Sequence, residues 1–292
     1  MDGMAHLDRH LMLPDGRRLT YREYGDPQGR PVIYHHGTPS SRLEPEAFGL
    51  PAVAAAHGIR LIAPDRPGIG RSDHQPDRSL LDWPEDLRCL ADHLRLSRFA
   101  VLGYSGGVPF AAAAAALLPD RITSAALVAC VAHLSPTLTE GLHPNGLRWK
   151  ELARTRPRTA QLVLTLAVRA PATLAPGLLL DRMGAALPEI DRVVLRSTPM
   201  RRMFPAAVRE AFHCGSRGPR VDQALMSGPW PFDPATIAVP VRLWQGTADT
   251  FGARPAMASH LGRTIPQSDL HMTGDGHLSI LVNQRDAVFA SL

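Results

Sequence analysis

With 292 residues, 45% of them hydrophobic and 20% charged, the chain can bury one large core, and its composition excludes a disordered protein. The formal charge of +5 arises from 32 basic against 27 acidic residues, and the basic excess is arginine spread along the chain, with Lys150 the only lysine. A nucleic-acid binder concentrates basic residues on one stripe with interleaved aromatics; aromatics here are only 5%, so nucleic acid is not expected as a partner.

The first residues, Met1 to Leu13, carry Asp2, His6, Asp8, Arg9 and His10, and so lack the apolar run of a signal peptide. The turn signal Pro14-Asp15-Gly16 predicts a hairpin leading into a sheet. Strand-like runs follow at Leu19–Tyr24, Pro31–Tyr34, Arg60–Ala63, Phe99–Gly103 and Ile122–Ala129. Helix-like stretches lie between them at Glu44–His57, Leu80–Leu94 and Val108–Leu118. Such alternation predicts an α/β fold with a mostly parallel central sheet covered by helices on both faces.

The pattern then changes. Residues 133–232 are rich in Leu, Ala, Arg and Pro and contain no convincing strand; Pro136, Pro144, Pro157, Pro171, Pro176, Pro188 and Pro199 divide them into short helices. Strands return at Val239–Gln245 and Leu270–Met272, and Leu278–Leu292 reads as a closing helix. The expected organisation is one core domain over residues 1–132 and 233–292, interrupted by a helical insertion over 133–232. The most apolar stretch of that insertion, Leu162–Leu187, is broken by Arg169, Pro171, Pro176, Asp181 and Arg182, so no membrane span is expected and the cytoplasm is the default location. Cys89, Cys130 and Cys214 show neither metal-ligand spacing nor a disulfide framework.

Chemistry concentrates in four places. Gly103-Tyr104-Ser105-Gly106-Gly107 joins a strand to a helix, the context in which G-x-S-x-G forms a sharp turn that lifts a serine hydroxyl clear of the backbone. A serine needs a base, and a base needs an orienting acid. Of the 13 histidines, His277 in Gly274-Asp275-Gly276-His277 follows the last strand at the sheet edge where the serine turn lies. Asp249, after the glycine exit of Trp244-Gln245-Gly246-Thr247-Ala248-Asp249, is the expected acid. The order Ser, Asp, His results. The loop His35-His36-Gly37-Thr38-Pro39 follows an early strand; the Thr38 amide and the Gly106 amide are the expected pair of donors to an oxyanion. The adjacent histidines, pointing apart and lacking a carboxylate partner, are not expected to bind a metal.

Taken together, these motifs and Asp65-Arg66-Pro67-Gly68-Ile69-Gly70-Arg71-Ser72 resemble those of the α/β-hydrolase fold family across nearly the whole chain. The resemblance implies a helical cap inserted after the sixth strand of that fold, and makes the Asp65–Ser72 loop an architectural turn without chemistry. One departure stands out: where the family often follows the acid with an apolar-proline turn, this chain has Thr250-Phe251-Gly252-Ala253-Arg254-Pro255. A serine nucleophile disfavours the branches that attack through a carboxylate, and the missing His-Gly-Gly-Pro run disfavours a peptidase.

The expected function is serine hydrolysis of an ester or thioester of a small, largely apolar molecule, with no cofactor. His36, Tyr104, Met183 and Met203 are candidates to contact that substrate, although the methionines, with Met200 and Phe204, serve equally well as the core of the cap. Carbon–carbon bond hydrolysis, a lyase or cyclase step on the same residues, and a non-catalytic small-molecule receptor are the competing readings.

Overall fold

The structure, a computed structural model, describes residues 7–132, 138, 140 and 144–292. The hairpin expected at Pro14-Asp15-Gly16 forms there: the Leu13 amide donates to the Arg17 carbonyl, and Gly16 turns the chain at φ 84°. It pairs β1 (Arg9–Met12) antiparallel with β2 (Arg18–Gly25). β2 runs antiparallel to β4 (Ile59–Pro64), and every later pairing is parallel. With β3 (Arg30–His35), β5 (Phe99–Tyr104), β6 (Ile122–Val128), β7 (Val241–Gly246) and β8 (Ser268–Thr273), the eight-stranded sheet has the order β1-β2-β4-β3-β5-β6-β7-β8.

Both faces of this sheet are covered. Alternate residues of a strand point to opposite faces, and β5 is buried along its whole length. Its Phe99 and Val101 join one apolar cluster with Leu87 and Leu90 of α3 (Trp83–His93) and Phe110 of α4 (Val108–Leu117). Ala100, Leu102 and Tyr104 join the opposite cluster with Leu50 and Ala54 of α2 (Leu50–Ala56). The helix expected over Glu44–His57 is two helices, because Gly49 at φ 68° separates α1 (Glu44–Ala47) from α2. The closing helix is likewise divided, into Ser279–Asn283 and Arg285–Ala290.

Between β6 and β7 the described residues hold a run of helices from Pro144 to Ser227 and no strand, a helical insertion here termed the cap. His133, where the insertion was expected to start, lies outside the described residues. Leu179, Leu180, Met200 and Phe204 of the cap share an apolar cluster with Tyr104 and Leu278 of the core, so the cap is packed onto the sheet edge that carries the serine turn. Met183 and Met203 pack half-buried against the same cluster. Among the described residues, no helix is long and apolar enough to cross a membrane.

Candidate active site

Ser105 directly follows β5 at φ 50°, a left-handed conformation that a non-glycine residue adopts only when its surroundings hold it there, at a cost of about 1–3 kcal/mol. The glycines around it are steric requirements: a Cβ on Gly107 would collide with the His35 carbonyl. The turn thus brings the head of α4 against the end of β3. It leaves the Ser105 hydroxyl 2.9 Å from His277 Nε2. On the far side of the ring, His277 Nδ1 lies 2.7 Å from Asp249 Oδ2. A carboxylate only accepts, so Nδ1 carries the proton and Nε2 accepts from the Ser105 hydroxyl. Ser105 and His277 are buried to 8% and 5% exposure, and Asp249 is fully enclosed.

The unusual sequence after Asp249 does not displace it. Oδ1 accepts from the Phe251 amide at 3.0 Å and the Gly252 amide at 3.4 Å, which orients the carboxylate with Oδ2 toward the imidazole. The Phe251 ring then lies 5.6 Å from that of His277. Tyr104, expected near the substrate, donates its hydroxyl to the His277 carbonyl at 3.0 Å and so braces the histidine loop.

The loop after β3 is held from two sides. Glu44 accepts from the Gly37 amide and from the Tyr34 hydroxyl, each at 2.7 Å. Arg66 donates to the carbonyls of His36 (2.7 Å) and Gly37 (3.2 Å) and to Thr38 Oγ1 (3.1 Å). With those groups engaged, Thr38 packs directly against Gly106: a Cβ placed on Gly106 would lie 2.9 Å from the Thr38 nitrogen. The two residues expected to donate amides to an oxyanion are therefore neighbours, and Gly106 directly follows Ser105 in the chain. His36 is fully buried, with its Nδ1 beside the Gly37 carbonyl.

Arg66 was given no chemistry by the sequence, and its position is the main addition that the structure makes. Its guanidinium lies 4.4 Å above the Phe110 ring and pairs at 2.7 Å with Asp222 of the cap, which also pairs with Arg78. Burial pulls Arg66 below the usual guanidinium range, while Asp222 opposes that shift. The only sequence signal was an arginine directly after the strand-end Asp65; its cap partner is far away in the chain.

Burial, with the nearby Arg66 charge, lowers the pKa of His35 to about 3 and pushes that of His36 in the same direction. The unfolded chain binds a proton on each below about pH 6.5, whereas the folded chain does not, so their contribution is complete above that pH and is lost as pH falls toward 3. Unfolding free energies from urea titrations should therefore drop by roughly 2 kcal/mol between pH 7 and pH 5 on account of His35 alone. His35→Leu should flatten the slope by that amount; an unchanged slope would mean that His35 takes up a proton while folded.

Residues 30–284 match the family described as the alpha/beta hydrolase fold, and the chain belongs to that family. It is similar to a non-heme chloroperoxidase of Streptomyces lividans, 34% identical over 136 residues, which are 46% of this chain and 48% of that protein. The chain thus spans about half the length of that curated relative, and less of others. Among solved structures it resembles a hydrolase from Pseudomonas aeruginosa, with a TM-score of 0.72 and 21% identity over 97% of this chain and 96% of that one. It also resembles a thermophilic esterase from Thermogutta terrifontis, with a TM-score of 0.66 and 23% identity over 98% and 96% of the two chains. At those identities the likeness is one of fold.

Proposed function

We propose that the protein is a serine hydrolase that cleaves an ester or thioester of a small, largely apolar molecule through an acyl-enzyme. The observation that carries this reading is the unbroken hydrogen-bond line from Asp249 through His277 to Ser105, at 2.7 and 2.9 Å, with Gly106 next to Ser105 packed against Thr38. His277 Nε2 takes the Ser105 proton as Oγ attacks the substrate carbonyl carbon. The carbonyl electron pair moves onto oxygen, where the amides of Thr38 and Gly106 hold the charge. Collapse of that intermediate expels the alcohol or thiol, which leaves with the proton from His277. Water then attacks the acyl-enzyme, its proton passing to Nε2, and Ser105 departs with that proton restored.

An apolar substrate is favoured by the half-exposed Phe251 ring beside His277 and by Met183 and Met203 at the cap cluster. A panel of p-nitrophenyl esters from acetyl to long acyl chains tests the proposal and sizes the acyl pocket. Turnover with a clear chain-length optimum is the expected result. No turnover, together with no adduct on Ser105 from a fluorophosphonate, would reject the acyl-transfer reading and leave carbon–carbon chemistry or ligand reception.

A further inference from the structure

The loop that carries His277 is held from outside the core. Asp191 lies on a short cap helix, Glu189–Leu195, and is fully buried. Its carboxylate accepts from three successive backbone amides of the histidine loop: His277 at 2.7 Å, Leu278 at 3.1 Å and Ser279 at 2.8 Å. The Ser279 hydroxyl donates to it as well, at 2.7 Å, and accepts in turn from the Gly276 amide at 2.7 Å. Gly276 must be glycine, since a Cβ there would strike the Asp191 carboxylate. All hydrogen bonds of this carboxylate among the described residues run to the histidine loop, and a buried carboxylate is stabilised only by such donors or by a cation.

We infer that Asp191 is a positioning residue through which the cap sets the reach of His277 to Ser105. The His277 backbone is gripped at its nitrogen by Asp191 and at its carbonyl by the Tyr104 hydroxyl, while Asp249 fixes the ring. Three amides converging on one carboxylate leave the loop little freedom to rotate, so the distance from Nε2 to Oγ depends on the cap being seated. Without Asp191, three enclosed amides would have to find water, and the loop would move to reach it.

The inference rests on the acyl-transfer reading of Ser105 and His277, and the test separates the two. The second-order rate of fluorophosphonate labelling at Ser105, followed by intact mass, is measured for the wild type, Asp191→Ala, Asp191→Asn and Leu90→Ala. Kcat and KM on p-nitrophenyl butyrate are measured beside it. Leu90 is a buried residue of α3 in the apolar cluster on the other face of the sheet, so its variant reports loss of stability alone. Asp191→Ala should lower the labelling rate and kcat about 10- to 100-fold, the cost of misplacing a catalytic group, with KM changed by less than about twofold. Asp191→Asn keeps one accepting oxygen and should fall between the two. It also decides the matter if the alanine variant does not fold. Leu90→Ala, assayed at the same interval below its Tm, should label like the wild type.

Labelling of both Asp191 variants at the wild-type rate, or slowed no more than Leu90→Ala, would overturn the role. So would a loss confined to KM, which would make the aspartate a fastener of the cap over substrate. A wild type that is not labelled at Ser105 would bring down the acyl-transfer reading and this role with it. A labelled wild type with unaffected variants would bring down this role alone.

Discussion

Ser105→Ala is expected to abolish ester turnover, lowering kcat by about 10,000-fold to a million-fold while leaving the fold intact. On the proposed acyl-transfer mechanism the loss is that large because the hydroxyl would form the covalent bond, leaving only the proposed amide donors of Thr38 and Gly106 to act on water. His277→Ala should cost about as much, and the double variant hardly more than either, since the two groups act in one proton transfer. Asp249→Asn should fall by about 10,000-fold, because an amide at 2.7 Å from Nδ1 can present an N–H and turn the imidazole into the wrong tautomer. Single and double variants assayed on the best p-nitrophenyl ester, with thermal melts alongside, provide the check. Retention of most activity in Ser105→Ala would remove the serine from the reaction.

Removing Asp222 should produce the largest loss of stability. Arg66, 0% exposed, and Arg78, nearly as enclosed, both pair with this carboxylate. Asp222→Ala leaves two interior guanidinium groups without the carboxylate they pair with, Glu44 being a more distant counter-charge to Arg66, and is expected to cost about 3–5 kcal/mol. The effect should reach catalysis too. Arg66 holds the carbonyls of His36 and Gly37, and hence the peptide that carries the Thr38 amide; if that amide is an oxyanion donor as proposed, its loss costs about 100- to 1,000-fold in kcat. Urea unfolding at pH 7 and kcat for the variant measure both. Stability within about 1 kcal/mol of the wild type would mean that water replaces Asp222 without strain.

The clamps from the cap mark where sequence reading reached its limit. The serine turn was legible because its requirements are local: a strand, a turn crowded enough to need glycine, and a helix, all within about a dozen residues of Ser105. His277 and Asp249 were legible by position, each on the exit loop of a strand at one sheet edge. The departure after Asp249 looked disruptive, yet it is accommodated, because backbone amides orient the carboxylate and any residue but proline supplies one. The split of the first helical region at Gly49 was also within reach, since an isolated glycine is a recognised breaker.

Asp191 and Asp222 were not legible. In sequence they read as ordinary helix charges, Asp191 between Ile190 and Arg192, Asp222 between Val221 and Gln223. Their partners lie 86 and 156 residues away along the chain. Sequence alone determined the fold class and pointed to the three groups that the structure joins in one hydrogen-bonded line, because period, turn chemistry and motif order are properties of short segments. Tertiary structure decided how those groups are held, because a buried carboxylate takes its partners from whichever donors packing brings within hydrogen-bond reach. No local pattern records that the cap packs on the edge where Ser105 stands.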